Sequence, residues 1–325
     1  MRSSPVSLTR RQLLRWAAAG MTGLGAWPGC TQPPLRVAIQ PWSGYQFMLQ
    51  AFRSHEYDPR RIQIYPTTGT LASWVMLRQG EVDAAALTLD EVLRLRADGL
   101  DVVVVLIFDI SAGADMVLSR PGITHLAALQ GRRVASENTG VAAILLHQAL
   151  ASAGLDLAQV NWQEIGTDHV AAWRQGGLDA IVSYHPSARQ LRALGLQVLF
   201  DSRQTPLQII DVLAVRRSAL SRHAAALTQL IAGHFRYLQA WHTRRIDMLY
   251  QLSPWLEVPP EQVPYAYQWL DLPDLLANRD YLNEPEALLQ AMHAMTEALA
   301  AKGWLNAAPG QPETLLTASL LPTLR

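Results

Sequence analysis

Lysine and cysteine are almost missing from this sequence, and each scarcity excludes a chemistry. Lys302 is the single lysine, and the other 26 of the 27 cationic residues are arginines. A lysine-bound cofactor would have to use that one residue near the C-terminus. Cys30 stands alone, which rules out an intramolecular disulfide and any cysteine-based zinc site. Neither charge is in excess, since 27 Lys and Arg balance 27 Asp and Glu. The basic surplus that non-specific binding to nucleic-acid backbones requires is therefore lacking. Charged residues make up 17 % of the chain against 50 % apolar, so a disordered chain is excluded. Enzyme signatures are also missing: there is no G-x-S-x-G elbow, H-E-x-x-H helix, P-loop or G-x-G-x-x-G turn. The nine histidines are scattered, and no metal-ligand spacing joins them.

The first thirty residues read as an export address. Arg10 and Arg11 lead into an apolar stretch over 16–26 that is too short to span a bilayer, which takes roughly 20 residues. The segment resembles a twin-arginine signal, with Leu13 where such signals usually carry Phe. Gly29-Cys30 closes it as in a bacterial lipoprotein, making Cys30 the expected lipidation site. No later segment reaches 18 uncharged apolar residues. The expected location is the periplasm or the outer face of the cell envelope, with the lipid as the only membrane contact.

From residue 35 onward, short β-branched runs alternate with helical stretches. Strands are expected at 35–39, 61–65, 82–87 and 102–108, with helices over 43–52, 71–79 and 89–97 between them. A second set has strands at 132–135, 160–165, 179–183 and 197–200, with helices at 141–153 and 170–175. Such alternation implies βαβ units, hence an α/β fold with mostly parallel sheets. Segments 114–119 and 209–215 read as crossovers between the two sets, and the chain turns helical after Arg216. The expected organisation is a signal over 1–30 and two lobes. Lobe one takes 31–115 with the helical tail 216–325, and lobe two takes 116–215 with the return crossover. Two hinge strands let such lobes close on a ligand.

In open α/β sheets ligands sit beyond the carboxyl ends of the strands, where helix N-termini point. Reading those positions yields Trp42, Ser43 and Tyr45; Thr68, Gly69 and Thr70; Thr88 and Asp90; and Asp109 from the first set. The second set and the return crossover contribute Asn138, Thr139, Tyr184, His185 and Asp211. Trp42 lies in a turn with little core to bury in, so its ring is a candidate for stacking on a ligand. Trp74 and Trp173 fall mid-helix and are expected to pack in the core. Thr88-x-x-Glu91 fits a capping box, and Ser43, Thr70 and Asn138 suit N-caps. Glu137, Asp168 and His169 also fall at strand ends, and Asp115 near the hinge, without being assigned to the site.

Gln79-Gly80-Glu81-Val82-Asp83-Ala84-Ala85 resembles a stretch typical of the solute-binding proteins of nitrate/sulfonate/taurine-type ABC transporters. So do Pro121-Gly122-Ile123, 129–134 and Gly177-Leu178-Asp179-Ala180. The resemblance covers about 35–305 and implies the two-lobed type II periplasmic binding protein fold. It implies a non-enzymatic, monomeric protein without cofactor or metal, which captures a small solute between its lobes and delivers it to a membrane permease. A sensor that signals to a membrane receptor, or an enzyme on the same fold, are the alternatives. The chain departs from anion binders in one respect. No Arg or Lys stands at the strand ends, whereas Asp90, Asp109, Glu137, Asp168 and Asp211 do, which favours a neutral or cationic, partly aromatic ligand.

Overall fold

The computed structural model describes residues 32–323, so the export signal and Cys30 lie outside the described residues. Strand β1 (Leu35–Ile39) leads to α1 (Gln46–Arg53), β2 (Ile62–Pro66) to α2 (Thr70–Gln79), and β3 (Ala84–Thr88) to α3 (Leu89–Ala97). Strand β4 (Val102–Ser111) follows directly. Its Val102–Val105 run favours extended backbone, because β-branched side chains restrict χ1, and all ten of its residues are buried. The chain then passes into β5 (Asp115–Ser119), β6 (Arg133–Ser136), α4 (Gly140–Ser152), β7 (Asn161–Glu164), α5 (His169–Arg174) and β8 (Ala180–Tyr184). Helix α6 (Ser187–Ala193) is short, has no strong apolar period and was not legible in the sequence. Strand β9 (Gln197–Asp201) and the return strand β10 (Ile210–Arg216) complete the alternating part.

Two sheets result, of strand order β11-β4-β10-β3-β1-β2 and β7-β6-β8-β5-β9, where β11 is the short edge strand Leu270–Asp271. Apart from that edge strand the two orders have the same plan. In the first sheet, β10 lies antiparallel between β3 and β4. In the second, β5 lies antiparallel between β8 and β9. Each of these two strands thus runs antiparallel to both of its neighbours. Observed boundaries differ from the expected ones by one to three residues at most ends, and α1 starts three residues late because 42–45 form a turn.

After β10 come α7 (Arg217–Leu220), α8 (Ala224–Thr243), α9 (Arg245–Leu256), α10 (Leu275–Asn283) and α11 (Glu286–Ala301). Helix α8 packs on α1, while α11 touches both α3 and α4 and so reaches from one sheet's helices to the other's. Residues from Pro34 onward pack as one unit. The main apolar cluster lies around the first sheet and takes in Trp74 at its edge, and Trp173 packs against a smaller cluster of the second sheet. Both tryptophans are half-buried at the edges of these clusters, so the core packing expected of them holds only in part. Among the described residues, no helix is long and apolar enough to cross a membrane.

Candidate functional site

The first sheet presents its polar residues where β1, β3, β4 and β10 meet. The turn after β1 brings the Trp42 indole to Asp109, with Nε1 donating to Oδ2 at 3.1 Å. The Tyr45 hydroxyl donates to the Asp211 carboxylate. Asp109 and Asp211 are direct cross-strand partners in the β4–β10 register. Gly44 passes so close that a Cβ there would overlap the Asp109 carboxylate. One turn away, Glu91 closes the expected capping box at the start of α3. Its Oε2 accepts the Thr88 amide at 3.0 Å and the Thr70 hydroxyl at 2.6 Å. The neighbouring Asp90 is 3 % exposed, and its Oδ2 has no hydrogen-bond partner.

The second sheet answers with a network centred on Glu137. Its Oε1 accepts the Tyr184 hydroxyl at 3.0 Å and lies 2.7 Å from His169 Nε2. The other ring nitrogen of His169 meets Ser183 Oγ at 2.9 Å. Thr139 caps α4 by accepting the Ala142 amide at 3.4 Å, and Asp168 caps α5 by accepting the Ala171 amide at 2.9 Å. Asp115 begins β5 at the hinge, where Ser111 Oγ donates to it at 2.6 Å and also meets Ser202 Oγ at 2.7 Å. Ser202 in turn accepts the Gly113 amide at 2.7 Å, so one hydroxyl pair ties both crossovers together.

The two groups meet. The Trp42 and Tyr184 rings approach edge to face, with centroids 6.4 Å apart at 79°. The Asp90 carboxylate presses on Gly140, the first residue of α4, where a Cβ would overlap Oδ2. Beside this contact lies a cavity of about 30 Å³ lined by Asp115, Glu137, Thr139, His169 and Tyr184 with Val141, Ala142 and Val182. Such a space holds a water or two but no organic solute.

Burial dominates the electrostatics. It pushes Asp90 up to about 7, with the Glu91 charge adding to the rise. It likewise pushes Asp109 up to about 7 and Asp115 up to about 6, opposed by the Trp42 indole and the Ser111 hydroxyl respectively. Glu91 is raised by burial against the pull of its Thr70 and Thr88 hydrogen bonds. Asp211 is raised well above the carboxylate range, by burial and then by Asp109. Arg94 offsets a little of this at Asp90 and Glu91, and His169 a little at Asp115. The arginine ion pairs among the described residues lie elsewhere, for example at Asp83, Asp101 and Asp201.

Of the residues expected at the site, the structure brings together Trp42, Tyr45, Asp109 and Asp211, joins Thr70 and Thr88 through Glu91, and sets Asp90 and Tyr184 across from them. His185 stacks beside this group on Trp269, with centroids 6.2 Å apart at 19°. Thr68 and Asn138 are exposed. Ser43 contributes its carbonyl, which accepts the Gln46 amide at 3.1 Å, and Gly69 likewise accepts the amides of Ala72 and Ser73. The capping expectation fails at three positions. Tyr45 rather than Ser43 stands at the N-cap of α1, Gly69 rather than Thr70 at that of α2, and Thr139 rather than Asn138 at that of α4. Glu137, His169 and Asp115 join the site although the sequence reading had not assigned them. Their strand-end and hinge positions were the available signal. Among the described residues, no group of three or more His, Cys, Asp or Glu is arranged to hold a metal ion.

The backbone aligns with that of the periplasmic aliphatic sulphonate binding protein SsuA of Escherichia coli, at a TM-score of 0.69 and 18 % identity. The match covers 85 % of this chain and 94 % of that one. The fold is that of the periplasmic binding proteins. The alkanesulfonate-binding SsuA of Xanthomonas axonopodis pv. citri, solved with MOPS bound, shares this fold at a TM-score of 0.67 and 18 % identity, covering 89 % and 97 %. So does the desulfurization enzyme DSZB, at 0.61 and 15 % over 89 % and 97 %. Within the periplasmic binding fold, residues 61–212 match the family model described as NMT1/THI5 like. That span runs from β2 into the start of β10, so it contains the first crossover and enters the second. The resemblance to nitrate/sulfonate/taurine-type solute-binding proteins read from the sequence is thereby borne out. None of the curated proteins compared with the chain matches it in sequence.

Proposed function

We propose that this protein is the extracytoplasmic solute-binding component of an ABC importer, exported by its N-terminal signal and tethered through Cys30. A small organic solute is captured between the sheets and handed to a permease. The observation that carries this reading is the facing of the two strand-end groups, with Trp42 against Tyr184 and Asp90 against Gly140. Loops at matching strand ends of two like sheets converge on one another, and two crossovers tied at Ser111 and Ser202 connect them. A lobe of 31–115 with 216–325 then swings against a lobe of 116–215 about that tie. The 30 Å³ cavity requires the lobes to part before a solute enters.

DSZB makes an enzyme on this fold a second reading, and one feature speaks to it. Ser183, His169 and Glu137 are linked in the order of a hydrolytic triad. Yet Ser183 is 1 % exposed and does not line the cavity that His169 borders. A nucleophile must reach its substrate, so the linkage fits a buried structural network better. Small-angle scattering with and without a solute found by thermal-shift screening tests the binding reading. A fall in radius of gyration on binding is expected. Turnover of the solute without any lasting complex would instead establish the enzyme.

A further inference from the structure

The neighbours of known ligand are named for binding sulfonates, but the residues at this site have the opposite sense of charge. We propose that the solute is an organic cation, an ammonium carried on an aromatic or methylated body, whose charge is taken by the Asp109–Asp211 pair. The inference rests on the solute-binding reading and narrows it.

Three observations converge. First, Asp109 and Asp211 face each other across adjacent strands, 1 % and 6 % exposed and outside the lining of the small cavity, so a cation reaches them only once the sheets part, and Asp109 Oδ1 has no hydrogen-bond partner. Buried charges persist when paired, and the chain provides no arginine or lysine ion pair to either carboxylate among the described residues. Second, the N-terminus of α4, thirteen residues long, would be the natural seat for an anion. The Asp90 carboxylate already presses on its first residue, Gly140, so an anionic solute would meet like charge there. Third, aromatic rings flank the acid pair. Trp42 hydrogen bonds to Asp109, Tyr45 to Asp211, and Tyr184 closes over Trp42 from the other side. Aromatic faces beside carboxylates attract ammonium groups and do little for sulfonates.

The test is titration calorimetry on the full-length protein at pH 7.5 with single probes. The cationic arm is benzylammonium, choline and putrescine, the anionic arm ethanesulfonate and nitrate, and the neutral arm benzyl alcohol. At least one cation is expected to bind in the micromolar range while the anions do not. Asp211→Asn should then weaken that cation about ten- to hundred-fold. Its unfolding temperature at pH 5 should stay near that of the parent, which separates lost binding from lost folding. Binding of an anion with no binding of a cation overturns the inference and leaves the solute-binding reading standing. Silence in all three arms overturns both. Cation binding unaffected by both Asp109→Asn and Asp211→Asn overturns the assignment to this pair.

Discussion

The carboxylate of Asp90, at the first turn of α3, occupies the space that any side chain on Gly140 would need at the first turn of α4. Glycine here makes possible the contact between the helix after β3 of the first sheet and the helix after β6 of the second. Gly140→Ala is expected to push α3 and α4 apart or to cost about 1–3 kcal/mol if they stay together. A double-mutant cycle separates these effects: in an Asp90→Ala background the penalty should largely disappear. Equal penalties in both backgrounds would show that the two residues do not meet.

Acidity should stabilise the protein without added solute. Asp90 and Asp109 near 7 and Asp115 near 6 lie above the ordinary carboxylate value of 3.8. A carboxyl whose folded value is raised contributes stability that is complete below its unfolded value and is lost as pH rises through the folded one. Each fully counted group changes stability by about 1.4 kcal/mol per pH unit in that window. The unfolding temperature is therefore expected to fall between about pH 4 and pH 7. Asp211→Asn should flatten this slope and be the more stable protein at pH 8. A curve that rises across this range would show that the carboxyls are not buried together.

His234 works in the other direction. It is fully buried among Phe47, Phe108 and Phe235, neither ring nitrogen has a partner, and burial pushes it down to about 3. Below its ordinary value of 6.5 the unfolded chain takes up a proton that the folded chain refuses, so this residue costs stability as pH falls. His234→Leu should raise stability by about 1–2 kcal/mol at pH 7. The gain should grow at pH 5, measured by urea unfolding. A loss at both pH values would mean that the imidazole has a partner after all.

Trp42 ties an aromatic wall to the acid pair through a 3.1 Å hydrogen bond. Trp42→Phe keeps a ring but removes the donor, which should raise Asp109 further and weaken solute binding about tenfold. The difference in emission between parent and variant isolates Trp42 from the other nine tryptophans. That difference spectrum should change on solute binding, and an unchanged one would place the indole outside the site.

Much of this was legible beforehand. The continuous apolar run of β4, the Gly80 stop after α2 and the Thr88-x-x-Glu91 box depend on residues within a few positions of one another, and each appears where the pattern placed it. Asp109 and Asp211 could be nominated as strand-end acids, but their pairing spans a hundred residues and follows from β10 returning between β3 and β4. Capping was the weaker guide at Ser43, Thr70 and Asn138. At α4 the neighbouring Thr139 takes the cap, whereas α1 and α2 start at Tyr45 and Gly69 with no side-chain cap, so the preceding turn sets where the helix begins.

The sequence by itself determined the alternation of strands and helices, the two crossover strands, and strand ends poor in basic residues, because these rest on local pattern and composition. Only the tertiary structure decided which acids share a burial site, why Gly44 and Gly140 are glycines, and that Glu137, His169 and Asp115 belong with them. Those facts depend on distances between chain segments far apart in sequence, and a carboxyl's charge state answers to its surroundings rather than to its sequence neighbours.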